Sequence, residues 1–219
     1  MGVVARVGGR LGELSVGSWR SEHPRPVGSH AVIVIPGAMP HAQQPVRGLP
    51  ISDHAVILRP LTPCDRDLFE DARTDSTITC RFGTQSAALD DQIQHFIGLF
   101  EAGQGAAFTI APHGQPAVGA VFVERERRDP GLGNISYWVL SQHRGHGYAT
   151  RGLRLGATWA LQTLGCARVQ LWIEPDNERS LRVAEAAGFI REGVLRSYGV
   201  VEGRRCDAAF FSLLPADLE

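Results

Sequence analysis

The chain has 219 residues, 43% of them hydrophobic, enough for one α/β domain with a buried core and an extension. A formal charge of −1 gives no reason to expect nucleic acid as a partner, since that normally demands a basic face. All 22 basic residues are arginine, and Cys64, Cys80, Cys166 and Cys206 lack C-x-x-C spacing, so no metal site or disulfide framework is expected.

Residues 1–50 are dense in Gly and Pro, with short β-like pieces at 13–18 and 31–35. They read as a partly ordered extension or a short hairpin, ahead of a domain over residues 51–219. No apolar run suits a signal peptide or a membrane span, which points to a cytoplasmic protein with no membrane partner.

From Val56 the pattern is regular. Val56-Ile57-Leu58-Arg59 reads as a strand. Thr62-Pro63-Cys64-Asp65 then supplies an N-cap, a proline at the first helical position and an acid at N3, so a helix follows to about Ala72. A second helix, near residues 89–102, carries Ile93, Phe96, Ile97 and Phe100 at helical spacing. Residues 106–111 and 117–124 are strands joined by the turn His113-Gly114-Gln115-Pro116. A charged loop leads to a strand over residues 134–140, followed by a glycine loop and a helix over residues 149–164. Arg168–Ile173 has the apolar content of a strand at a sheet centre. Asp176-Asn177 caps another helix, stopped by Gly188, and two strands near residues 193–201 and 205–213 turn at Glu202-Gly203. An antiparallel meander feeding one β-α-β crossover makes a mixed α/β sheet.

The segment Tyr137-Trp138-Val139-Leu140-Ser141-Gln142-His143-Arg144-Gly145-His146-Gly147-Tyr148-Ala149-Thr150 carries the chemistry. A strand runs into a loop with two glycines, which opens into a helix. Its first turn offers unpaired N–H groups and the positive end of the dipole, an anion site suited to a pyrophosphate. A nucleoside triphosphate loop needs lysine, which this chain lacks. A dinucleotide fingerprint needs a third glycine where Thr150 stands, although Glu174 after the next strand keeps that reading open.

Arg144-Gly145-His146-Gly147-Tyr148-Ala149 resembles the R/Q-x-x-G-x-G/A acetyl-CoA loop of the GNAT acetyltransferase superfamily. Asn177-Glu178-Arg179-Ser180 with Gly188-Phe189 is similar to its N-x-x-S/A…G-F helix, and Leu58-Arg59-Pro60-Leu61 to its opening strand. Tyr137-Trp138, Tyr148-Ala149-Thr150 and the ending from Asp207 to Leu214 resemble the ribosomal-protein N-terminal acetyltransferase branch. The resemblance covers about residues 55–215. It implies an α+β fold of the GNAT type, with about seven mostly antiparallel strands and about four helices, the fourth and fifth strands splaying apart.

What the resemblance implies for function is an acetyl-CoA-dependent N-acetyltransferase, monomeric or homodimeric, acting without a metal on a protein α-amine or a small primary amine. Backbone of Gly145, His146, Gly147, Tyr148, Ala149 and Thr150, with Arg144, would hold the pyrophosphate. Trp138, Val139 and Leu140 would pair with pantetheine like an added strand, with Asn177 on the other side and Val139 N–H as oxyanion donor.

The tyrosine that many relatives carry seven residues after the Asn is Ala184 here, so Ser180 is the expected acid or hydrogen-bond donor to the thiolate. The branch's glutamate three residues before the Tyr-Trp pair is Asn134, which holds at most a water. Glu124 and Glu174 are the other carboxylates near the cleft, and Tyr198 is expected to line the acceptor pocket. An α-amine, with a pKa of about 8, needs less help from a base than a lysine amine near 10.4. The missing glutamate and tyrosine also fit a catalytically weak acyl-CoA-binding or regulatory module on the same fold.

Overall fold

The structure is a computed structural model that describes residues 49–78, 89–201 and 203–218. The expected extension, with its strand-like pieces at 13–18 and 31–35, lies outside the described residues except for its last two, as does Cys80.

The described chain begins with two strands, β1 (Ile51–Ser52) and β2 (Val56–Pro60), and the helices α1 (Arg66–Thr74) and α2 (Leu89–Glu101). Next come β3 (Gly105–Pro112), β4 (Gly119–Arg125), β5 (Leu132–Val139) and the helix α3 (Tyr148–Gln162). The remainder is β6 (Arg168–Ile173), α4 (Glu178–Ala186), β7 (Ile190–Val201) and β8 (Arg204–Leu213). All eight strands form one sheet in the order β1-β2-β3-β4-β5-β6-β8-β7, in which only β5 and β6 are parallel neighbours. The extra strand beyond the expected seven is β1, which pairs Ile51 with Leu58 just where the Gly/Pro-rich stretch ends.

Helices cover both faces of β3 and β4. Alternation along β4 sends Val121 and Val123 into the core under α3, and Ala120 and Phe122 into the core under α1 and α2. Both strands are therefore buried almost end to end. The strand Arg168–Ile173 differs from its expected environment. Its burial alternates, with Trp172 40% exposed, because one face of β6 opens to a cleft instead of a helix. No helix of the described residues is long and apolar enough to cross a membrane.

The expected start of α1 is built on Asp65. Its carboxylate accepts from Thr62 N–H and Thr62 Oγ1, both at 2.9 Å, and pairs with Arg59 on β2. That ties the helix entry to the sheet.

A second carboxylate, Asp53, pins the β1–β2 turn to α3. It accepts from Ala55 and Val56 N–H at 2.8 and 2.9 Å and from Arg151 Nη1 at 2.8 Å. Burial alone raises its pKa, but those two N–H groups and the guanidinium outweigh burial and hold it at about 2, against an ordinary 3.8. A lowered carboxylate pKa contributes stability above the ordinary value, and the contribution is lost as the pH falls through the folded value. Asp53→Asn is therefore expected to cost about 2 kcal/mol at neutral pH. The gap to wild type should close between pH 4 and pH 2 in urea melts; a gap that stays constant with pH would contradict this role.

Candidate functional site

Strands β5 and β6 pair only at Leu132–Arg168, Gly133–Val169 and Asn134–Gln170. Beyond these residues the seam opens, as the resemblance implies. Which backbone groups face the opening follows from the antiparallel alternation of β5 with β4. Leu140 N–H donates to Val118 O at 3.0 Å, so residues 134, 136, 138 and 140 turn their backbone towards β4. Tyr137 and Val139 face the opening. Leu140 C=O also accepts from His143 N–H. The expected pairing edge of Trp138, Val139 and Leu140 is thus corrected: Val139 supplies it, with Tyr137, and the Trp138 ring packs edge-on against Phe69 in the core.

Below the seam, Gly145 and Gly147 adopt φ of +86° and +77°. This left-handed conformation is open to glycine at no steric cost. Gly147 is the N-cap of α3, and the first helical bond runs from Arg151 N–H to Gly147 O. The N–H groups of Tyr148, Ala149 and Thr150 therefore have no intrahelical acceptor. No side chain caps this end and its first turn holds no acid, so the positive end of the helix dipole stays uncompensated.

A cleft of about 860 Å³ runs over this helix start. Trp138, Val139, Arg144, Gly145, Gly147, Tyr148, Ala149, Thr150, Asn177 and Ser180 all line it. Leu140 and His146 do not; the His146 ring stacks on Tyr148 at 5.4 Å. Among the described residues its charged lining is basic, with Arg144, Arg179 and Arg182 and no carboxylate. Arg179 and Arg182 escape the sequence motif because their placement depends on where α4 sits above α3. Arg144 turns partly away: its Nε donates to Val139 O at 3.0 Å and its Nη2 to Thr77 Oγ1 at 2.6 Å. The same guanidinium pairs with Asp75, whose carboxylate accepts Ser141 N–H at 2.9 Å. Arg144 thus braces the loop from behind.

A second cleft, of about 620 Å³, lies on the other side of the seam. The expected residues Glu124, Asn134, Glu174, Ser180 and Tyr198 all line it, together with Glu126, Trp172 and Phe210. Among the described residues its charged lining consists of carboxylates alone. Tyr137, Asn177 and Ser180 belong to both clefts and mark the point where they meet.

At that junction Asn177 is the N-cap of α4 and accepts from Ser180 N–H. Its Nδ2 donates to Ser180 Oγ at 2.9 Å, which leaves the hydroxyl proton of Ser180 to point elsewhere. Tyr137 OH donates to Ser180 O at 3.4 Å. Ala184, on the core face of α4, is fully buried and lines neither cleft. Asn134 accepts from Gln170 Nε2 at 3.0 Å and makes a long 3.5 Å contact to Glu126 Oε2. Its amide links β5 to β6 and reaches the residue that follows β4. Glu126 itself lies just past β4 in a run of charges, where no periodic signal separates it from a solvated loop residue.

Fold and clefts together give a parted sheet with a basic cleft on one side of the seam and an acidic cleft on the other. Residues 55–190 match the model of the acetyltransferase (GNAT) domain, and the chain belongs to the GNAT acetyltransferase family. It is 28% identical to the uncharacterized N-acetyltransferase p20 of Bacillus licheniformis over 132 residues, 60% of this chain and 74% of that protein. It is 34% identical to the putative ribosomal N-acetyltransferase YdaF of Bacillus subtilis over 85 residues, 39% of this chain and 46% of YdaF. The fold superposes on the ribosomal-protein-S5-alanine acetyltransferase of Vibrio fischeri with a TM-score of 0.68, at 18% identity, covering 78% of this chain and all of the other. For Mycobacterium smegmatis RimJ in complex with CoA-disulfide the TM-score is 0.63 at 21% identity, covering 74% and 83% of the two chains. The resemblance carried by the glycine loop and the Asn177 helix thus holds for the family and the fold.

Proposed function

We propose that the protein is an acetyl-CoA-dependent N-acetyltransferase that acetylates a primary amine, either a protein α-amine or a small-molecule amine, by direct transfer. The observation that carries this reading is that a cleft whose described charged residues are all basic meets, at Ser180 and Asn177, one whose described charged residues are all acidic. A phosphate-rich donor suits the first, an ammonium the second. The residues present fit coenzyme A: an uncapped helix start, glycines that let the backbone approach, and a charged lining that is basic among the described residues.

When bound, the thioester supplies an activated acetyl group; the net change converts R–NH3+ and the thioester into the N-acetyl amide, the free thiol and one proton. Val139 N–H donates to the carbonyl oxygen as it gains negative charge. Ser180 O–H, oriented by Asn177, donates to the departing sulfur. Glu124 and Glu126 accept the proton that the ammonium must lose, directly or through water.

Ser180→Ala is expected to lower kcat about 10- to 100-fold with acetyl-CoA affinity unchanged within a few-fold. Normal turnover of that variant across the pH range would remove Ser180 from this role. The reading as a whole is tested by thioester loss with a panel of amines and N-terminal peptides, which should run well above the buffer rate. The second reading, an acyl-CoA-binding module, is favoured by Asn134, whose amide is engaged by Gln170 and Glu126, and by the buried Ala184. Acetyl-CoA binding without turnover on any amine would select it.

A further inference from the structure

Charge is sorted between the two clefts, and the acceptor side goes further than a single ammonium requires. Glu124 and Glu126 reach it from the end of β4, and Glu174 from the end of β6, with no Arg or His among the described residues that line it. Across the seam from β4, three aromatic rings from three different strands line the same cleft: Trp172 of β6, Phe210 of β8 and Tyr198 of β7. Tyr198 stands edge-on to Phe210, with centroids 4.9 Å apart at 88°, and to Trp172 at 6.4 Å and 74°. Trp172 and Tyr198 remain 40% and 50% exposed, an unusual cost for large rings unless a ligand covers them.

This wall is specifically constructed. Between Leu195 and Gly199 the pairing of β7 with β8 is interrupted, because four steps along β7 match two along β8, from Ala208 to Cys206. The bulge places Tyr198 beside the cleft. Ser197, at its centre, takes φ +54°, a left-handed conformation that a non-glycine residue adopts only when held. Asp207 holds it by accepting Ser197 N–H at 2.8 Å, while Arg205 Nη1 donates to Ser197 O at 3.2 Å. Gly199 completes the arrangement: a Cβ there would lie 2.9 Å from the Trp172 ring.

We infer that the acceptor carries a second positive charge besides the amine that is acetylated, and that this charge is seated against the Trp172–Tyr198–Phe210 wall within the carboxylate-lined cleft. Ring faces and carboxylates attract the same ligand, an alkylammonium or guanidinium on an apolar spacer. The second charge has a chemical use as well. It lowers the pKa of the reacting ammonium by like-charge repulsion, which helps a site with Asn134 in place of a carboxylate. Two sources share this chemistry: a small polyamine, and a peptide whose basic side chain follows its α-amine. The inference rests on the transferase reading above.

The test compares kcat/KM for a linear diamine or triamine with that for a monoamine of matched length, and for peptides differing only in an Arg or a Gly at the second position. The dication of one or both pairs is expected to be preferred at least about tenfold at low salt, the preference shrinking at high salt. The pair that shows it identifies the source. Glu174→Gln and Tyr198→Leu should each reduce that preference at least about threefold while the KM for acetyl-CoA stays unchanged. Asp207→Ala should act like Tyr198→Leu and Asp207→Asn should restore the preference, since an amide oxygen still accepts from Ser197. Equal kcat/KM within both pairs, with turnover intact, would overturn the inference and leave the transferase reading standing. No turnover with any acceptor, while acetyl-CoA still binds, would overturn both.

Discussion

Gly147→Val is expected to lose measurable affinity for acetyl-CoA while the domain stays folded. Gly147 sits at φ +77° and a Cβ there would meet nothing within 4 Å, so the penalty is backbone conformation, not a clash with the core. For an ordinary residue that conformation costs about 1–2 kcal/mol, and for a β-branched one more. The variant is expected to escape it by rotating the loop, since the loop is held mainly from behind by Arg144. Rotation swings the N–H groups of Tyr148, Ala149 and Thr150 away from a common point, and no lysine exists in this chain to replace them. Affinity should therefore fall by at least about 100-fold for a loss of stability of only about 1–2 kcal/mol. Calorimetric titration and a thermal melt measure the two quantities separately. Binding within tenfold of wild type would show that the phosphates do not rest on this helix start.

Gly156→Leu is expected to be strongly destabilising. Gly152 and Gly156 lie one turn apart on the face of α3 that rests on β3 and β4. A Cβ at Gly156 would sit 2.7 Å from Val121 Cγ1, and one at Gly152 2.6 Å from Ile110 Cδ1. Val121 and Ile110 are both fully buried, so neither has a direction in which to retreat. In a slack position, replacing a mid-helix glycine would gain up to about 1 kcal/mol from propensity. Overpacking costs about 1–3 kcal/mol for small insertions, and a whole leucine belongs at or beyond the upper end. Overpacking wins, and a loss of about 3 kcal/mol should lower Tm by about 10 °C in a domain of this size. The same displacement lifts α3 from the sheet, so acetyl-CoA affinity should fall with it. A variant as stable as wild type would mean that α3 does not pack this closely.

Periodicity located most elements because both periods are clean where one face is buried. Helix α2 begins and ends within a residue of its pattern, and β6 spans the expected Arg168–Ile173. The glycine loop and the Asn177 cap were legible because each is a local device: a positive φ or an N-terminal hydrogen bond depends on few neighbours. What sequence reading missed depends on register. Leu140 turns its N–H to β4 and not to the opening, and a strand's sequence does not reveal which alternate residues bond to which neighbour. The β7 bulge breaks the period of two, so nothing along the chain shows that Tyr198 joins Trp172 and Phe210. Burial of Ala184 and engagement of Asn134 are likewise tertiary facts. The first concerns the leaving thiolate and the second the acceptor side, and neither follows from a local pattern.

The central claim is that the donor's phosphates rest on the start of α3 and that its sulfur reaches the junction at Ser180. A crystal structure with coenzyme A bound tests this most directly. Pyrophosphate oxygens should lie within hydrogen-bond distance of the N–H groups of Tyr148–Thr150, pantetheine should pair with Val139, and the sulfur should lie beside Ser180 Oγ. Coenzyme A bound away from Gly145–Thr150, or with its sulfur on the far side of β5 from Ser180, would contradict the account.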